Sequence, residues 1–292
     1  MAVKSLKLTV LVEDYAGYGS KFWGQHGISV LAEAETPSGT YKVLFDTGTS
    51  HEPVLHNAEL LGVKLGDVDY VVISHNHYDH TGGLPGLAKV LGEGTPVIAH
   101  PEIFKVSYAF EPHLRYIGPT PNPTALRRAV EDAGLVWLLS KNPMKLFDGA
   151  YTTGEIPPQE REGFERDMTI TVFKEVEGKL VRDLIEDEIG LAFVTDEGLV
   201  VLGGCSHPGI VSIVKKAMEV TGVKEVRAVI GGFHLISASE ERIDSTVKAF
   251  QDLGVKEVYA GHCTGLRAEA ALQKAFGTSF KKLHSGMRIR FG

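Results

Sequence analysis

Short apolar runs, each closed by glycine, histidine or aspartate, recur along the chain and predict strands buried on both faces. Residues 6–12 and 28–34 form a first pair, joined by a glycine-rich connection carrying Tyr15, Tyr18, Phe22, Trp23 and His26 that is longer than a hairpin needs. Residues 36–39 then turn the chain into a strand at 41–45. The pattern next predicts a helix at 53–61, a strand at 68–73, a helix at 84–91 and a strand at 96–100. Between 101 and 167 the periodicity fails, proline becomes frequent, and aromatic and basic residues interleave, as expected of an insertion that is either a lid over the site or a stabilising excursion. Regular strands resume at 168–173, 189–195 and 199–202, and a strand, tip, helix unit then repeats three times: 200–204 with 210–220, 226–230 with 240–253, and 258–260 with 268–276.

The candidate chemistry sits at the strand tips. The sequence SHNHYDHTGG, residues 74–83, follows the apolar run 68–73 and places His75, His77, Asp79 and His80 within six residues. If the backbone stays extended through the first pair, His75 and His77 point to one side and share a metal, because side chains repeat every two residues. Asp79 and His80, past the bend, face a second. Three imidazoles and a carboxylate suit zinc, with iron, manganese or magnesium left open. The bland alternative is a solvated histidine-rich loop. Asp46 closes the strand 41–45, where its carboxylate can orient a ligating imidazole by accepting the second N–H. In the second half the tips are GGCSHPG (203–209), GGFHL (231–235) and GHCTG (261–265), whose glycines let the backbone turn sharply beside a ligand. His234 is a candidate proton donor to a leaving oxygen, beside Phe233 as a substrate contact; a structural role competes with the former.

Composition narrows the class. The chain has 292 residues and a formal charge of −7, with no Lys/Arg run, which argues against nucleic acid as a partner. No apolar run reaches membrane length and no signal-peptide pattern opens the sequence, so the expected compartment is the cytoplasm. The two cysteines, Cys205 and Cys263, are not expected to form a structural disulfide there. Arg115, Arg127 and Arg128 in the interleaved segment are candidate clamps for a flat, anionic small molecule. A homo-oligomer is left open.

HNHYDH followed by TGGL resembles the HxHxDH signature of the metallo-β-lactamase superfamily, and Asp46-Thr47-Gly48 is similar to that superfamily's DTG segment. The resemblance implies a single four-layer αββα sandwich over 1–292 with a lid at about 101–167, one or two divalent ions, and a ligand at His262. Two departures stand out. Cys205 occupies the place of the usual metal-bridging aspartate, as a thiolate ligand or as a small buried residue. The segment 183–188, where members usually carry the first metal's third ligand, has no histidine; this favours His207, with Asp183 and Asp187 as fallback carboxylates. FDTG, GGCSHPGI, GGFHL and GHCTG together resemble the branch of 7,8-dihydropterin-6-methyl-4-(β-D-ribofuranosyl)aminobenzene-5′-phosphate synthases, which join a hydroxymethyldihydropterin pyrophosphate to an aminobenzene ribotide in methanopterin synthesis. That resemblance implies a metal-dependent transferase acting on a phosphorylated small molecule; in a hydrolase Asp79 would orient a metal-bound water, and His234 stays a candidate to bind a phosphate or donate a proton. A hydrolase of phosphate or other esters and a non-catalytic metal-binding protein are the alternatives.

Overall fold

A computed structural model describes residues 2–110, 112–166 and 171–292. One seven-stranded sheet runs from edge to edge as Arg288–Phe291, Ser5–Val12, Ser29–Thr36, Gly39–Phe45, Tyr70–Val72, Pro96–Ala99 and Val136–Leu139. The second runs Phe280–Lys282, Glu257–Gly261, Val226–Gly232, Gly198–Gly203, Leu191–Thr195, Ala150–Thr152 and Lys145–Phe147.

Alternation along each strand decides what its two faces bury. Leu6, Leu8, Val10, Val30, Val43 and Phe45 meet Leu191, Phe193, Val200, Leu202, Ala228 and Ile230 in one core between the sheets. The opposite residues of the first sheet, among them Leu11, Leu31, Leu44, Val71 and Val97, pack with Val54 and Ala58 of the helix His51–Leu61 and Leu126 and Val130 of the helix Pro123–Glu131. Val201, Val229 and Val258 of the second sheet pack with the helices Ile210–Thr221, Glu240–Asp252 and Leu266–Phe276. Helix, sheet, sheet and helix therefore stack as four layers, and strands covered on both sides read as unbroken apolar runs.

The expected insertion at 101–167 needs correcting. Val136–Leu139 is the edge of the first sheet, and 145–152 supplies two strands of the second. What stands apart is a four-stranded sheet ordered Lys179–Arg182, Val172–Val176, Ser107–Phe110 and Leu114–Gly118. Its strands come from both ends of the irregular stretch, and Ala109, Ile117, Val172 and Ile185 make a small core beneath it, with Tyr78 packed against them. The strand expected at 168–173 begins at Val172; Met168 to Ile170, and Asp167 at the end of the expected insertion, lie outside the described residues. The helix expected at 84–91 is a single turn, Leu84–Leu87. Among the described residues no helix is long and apolar enough to cross a membrane.

Candidate metal centre

In the first sheet, Ser5–Val12, Gly39–Phe45 and Tyr70–Val72 run in the same direction, because two antiparallel pairings and one parallel pairing separate them. In the second, Gly198–Gly203, Val226–Gly232 and Glu257–Gly261 are mutually parallel. Their C-terminal tips converge, and there Asp46, Ser206, His234 and His262 all adopt positive φ (58°, 63°, 45° and 50°) despite carrying side chains. Left-handed backbone at non-glycine residues costs energy that the surrounding packing must hold, and it concentrates at functional sites.

Among the described residues four overlapping groups of ligand-type side chains meet at this edge; Cys205, His234 and Cys263 make one, Asp14, His26 and His262 another, and the remaining two contain the HNHYDH histidines. His75 and His77 leave the tip of Tyr70–Val72 with ring centroids 4.4 Å apart, and each lies 4.9 Å from the ring of His207. Asp79 and His80 lie in the short helix Tyr78–Thr81 and face His262, with Asp79 Oδ2 at 3.3 Å from His80 Nε2 and 3.2 Å from His262 Nε2. Cys205 Sγ stands 3.2 Å from both of those imidazole nitrogens. The ligand atoms of Asp79, His80, Cys205 and His262 all lie within 4.8 Å of one another, as do those of His75, Cys205 and His207.

A carboxylate holds the far side of each imidazole in the second group. Asp46 Oδ2 accepts from His80 Nδ1 at 2.7 Å while its other oxygen accepts the Ser74 N–H, and Asp14 Oδ2 accepts from His262 Nδ1 at 2.7 Å. Such pairs fix the tautomer and aim the other nitrogen. Asp14 Oδ1 also holds His26 Nδ1 at 2.8 Å, and His26 Nε2 reaches to 3.4 Å from Asp79 Oδ2. Glu13 accepts the backbone N–H of His262, and Glu188 accepts those of Ser206 and His207, so buried carboxylates also pin the loops that carry the ligands. Burial pushes Glu188 up to about 8 against those two hydrogen bonds.

The donor set fits divalent cations. His75 Nε2, His77 Nε2 and both ring nitrogens of His207 are buried without a hydrogen-bond partner, a state that costs free energy and that a cation relieves at the one nitrogen of each neutral ring that carries a lone pair. Burial holds His77 down to about 3 and His75 and His207 well below the usual imidazole range, which keeps these rings neutral and able to ligate. In the other group burial also opposes charge, but Asp79 and Asp46 outweigh it and bring His80 up to about 10. That corner attracts positive charge, as protons or as a metal ion in their place.

The remaining candidate residues divide. His234 lies 4.3 Å, ring to ring, from His207, and neither of its buried ring nitrogens has a partner. Arg115 stands over the Tyr78 ring at 5.7 Å, and both line a cavity of about 300 Å³ with His77, Asp79, His207, His234 and His262. Three expectations are corrected. Phe233, the residue after the strand Val226–Gly232, is fully buried, packs edge-to-face on Phe250 in the outer core and does not line the cavity. Arg127 and Arg128 belong to the helix Pro123–Glu131 and do not line the cavity; Arg127 lies over Phe104 and pairs with Glu131. Asp183 and Asp187 hold the buried Lys105 ammonium instead of joining either group. His26 was visible in the sequence only as one residue of the long connection after the first strand, and Asp14 escaped the sequence reading, although it follows a strand that ends at the same edge as the HNHYDH strand.

Two sheets in four layers with histidine-rich tips at one edge define a metal-binding scaffold, and the family model described as the metallo-beta-lactamase superfamily matches residues 28–211; the chain belongs to that superfamily. Its fold implies bound metal and an enzyme. Within it, the chain is 49% identical over 289 residues, covering 99% of this chain and 98% of the relative, to the 7,8-dihydropterin-6-methyl-4-(beta-D-ribofuranosyl)-aminobenzene-5'-phosphate synthase of Methanocaldococcus jannaschii. Among solved structures it is similar to Tm1679, described as a metal-dependent hydrolase of the beta-lactamase superfamily, with a TM-score of 0.81 and 32% identity over 97% of this chain and 98% of that one. A diphosphatase from the PhnP family shares the fold alone, with a TM-score of 0.54 and 15% identity over 98% of both chains.

Proposed function

We propose that this protein is a metal-dependent synthase of the same kind as its M. jannaschii relative, forming the bond between a dihydropterin methylene carbon and the nitrogen of a phosphorylated ribofuranosylaminobenzene. The observation that carries this reading is 49% identity maintained over essentially the whole length of both chains. His75, His77 and His207 would hold one divalent ion, and Asp79, His80 and His262 a second, with zinc as the first choice. Bound there, the ions would supply Lewis-acid stabilisation to the oxygens of a phosphate or diphosphate. The rest is the work of the chain's own groups. Asp46 and Asp14 keep His80 and His262 in one tautomer. Arg115 offers a fixed positive charge, and Tyr78 beneath it a flat aromatic face, beside the apolar wall of Ala109, Ile117 and Val172. An aromatic ring with an anionic arm matches that combination. The small sheet containing Arg115 acts as the lid, and His234 faces the cavity where it can hand a proton to a leaving oxygen.

The test is direct. Metal-loaded protein is incubated with the hydroxymethyldihydropterin diphosphate and the aminobenzene ribotide, and the coupled product and released diphosphate are followed by mass spectrometry. Product and diphosphate in equal amounts are expected. A second reading, a metal-dependent hydrolase, is favoured by the 32% identity with Tm1679. Release of phosphate from a panel of phosphate esters without any coupled product would replace the first reading with the second.

A further inference from the structure

We infer that Cys205 is a bridging ligand, its single sulfur shared by two metal ions and joining the two ligand groups. The inference rests on the metal-binding reading above and adds to it which atom links the ions and which class of metal the site selects. Cys205 is common to both groups and to a third with His234 and Cys263: its Sγ is 3.2 Å from His80 Nε2 and from His262 Nε2 on one side, and within 4.8 Å of the ligand atoms of His75 and His207 on the other. The nitrogens awaiting a partner on that second side, His75 Nε2 and both of His207, are buried and unsatisfied.

The backbone fixes the sulfur there. A Cβ on Gly204 would lie 2.3 Å from Ser74 Oγ and 2.9 Å from Asp46 Oδ2, so only glycine lets this tip press against the Asp46–Ser74 pair and present the next residue between the groups. Cys263 Sγ also lies within 4.8 Å of Cys205 Sγ and a ring nitrogen of His234, but its own hydrogen bonds run to backbone. Its S–H donates to the Cys205 carbonyl at 3.4 Å and its sulfur accepts the His234 N–H at 3.3 Å, so it ties two tips together through their backbones. On metal binding the Cys205 S–H bond breaks, the proton leaves to solvent, and the thiolate sulfur would donate one of its lone pairs to each ion. A bridging carboxylate suits hard ions as well as borderline ones; a bridging thiolate favours zinc, iron(II) or cobalt(II) over magnesium or manganese.

The test uses the full chain stripped by chelation and titrated with cobalt(II), reading metal content, the near-ultraviolet thiolate-to-cobalt band and, on the zinc form, the sulfur count by X-ray absorption. The wild type is expected to take up two ions with the band present and an average of one sulfur per metal, and Cys263→Ser to behave the same way. Cys205→Ser is expected to lose the band and to bind its weaker ion about tenfold or more less tightly. Cys205→Asp, which also serves if the serine variant fails to fold, should hold two ions without the band and shift its preference toward manganese. A band that survives in Cys205→Ser, or half a sulfur per metal in the wild type, would overturn the bridge while leaving the metal site standing. Wild-type protein that takes up no cobalt would overturn the metal-binding reading itself, and the bridge with it.

Discussion

Replacing Lys105 by methionine isolates one buried charge cluster behind the metal site. Lys105 Nζ lies 2.8 Å from Asp183 Oδ2 and also pairs with Asp187 Oδ1; its side chain is 6% exposed and the two carboxylates 1% and 0%. The other oxygen of Asp187 accepts the backbone N–H of Asn76 at 3.0 Å, and Asn76 stands between His75 and His77. Its side chain in turn donates to the Lys105 carbonyl at 2.8 Å and to Ser107 Oγ at 2.9 Å. Methionine keeps the length of the side chain and removes the charge, leaving two carboxylates buried without a cation. Breaking a buried pair from one side costs about 3–5 kcal/mol. With an unfolding entropy of about 2.1 cal/mol/K per residue, the midpoint should fall by roughly 5–8 °C for a chain of this length.

The pH dependence separates this account from lost packing. Burial alone would lower the Lys105 pKa, but Asp187 and Asp183 raise it above its ordinary value. Its stabilising contribution is therefore complete below the unfolded value near 10.4 and is lost only as pH rises through the still higher folded value. In the variant two buried carboxylates are left without a cation, and because burial disfavours the charged form the variant should regain stability as pH falls from 7 toward 5. Calorimetry at both pH values checks this, and Lys105→Met with Asp183→Asn and Asp187→Asn should recover most of the loss. A loss under about 1 kcal/mol, or one independent of pH, would refute the claim that the cluster is a desolvated ion pair supporting Asn76.

Asp46→Asn and Asp14→Asn should each weaken metal binding about 10–100-fold while the circular dichroism spectrum is unchanged, measured by competition with a chelator; undiminished affinity would mean that neither carboxylate orients its imidazole. Arg115→Ala should raise KM for a phosphorylated substrate while Arg127→Ala leaves it unchanged, and equal effects in steady-state assays would count against the cavity as the binding site. Phe233→Ala should destabilise by about 3–5 kcal/mol in denaturant titrations and leave the KM of the folded fraction alone; the reverse result would restore Phe233 as a substrate contact.

The sequence exposed those parts of the fold whose physics is local. Strands covered on both faces read as apolar runs, and HNHYDH, GGCSH and GHCTG each announce a tip within a few residues. The small sheet was illegible because its strands have four or five residues with mixed burial, and its partners Ser107–Phe110 and Val172–Val176 are far apart in the chain. Phe233 misled because an aromatic between glycines and a histidine looks exposed, whereas just past Val226–Gly232 it packs into the outer core. Asp14 was missed for the opposite reason: nothing beside it is unusual, and its meaning comes from strand direction, which the sequence does not write down. Cys205 was visible as a departure, but its distance to both ligand groups was not.

The pairing of Arg288–Phe291 with Ser5–Val12 sets an order of events for folding. A ribosome releases Ser5–Val12 long before Arg288–Phe291, so until the later strand emerges the earlier one carries a bare edge able to pair with other chains. Closing so long a loop adds little entropic cost beyond that of a shorter one, because the penalty grows only with the logarithm of length. The hazard is therefore one of waiting time, and trimming the final strand would make the temporary edge permanent.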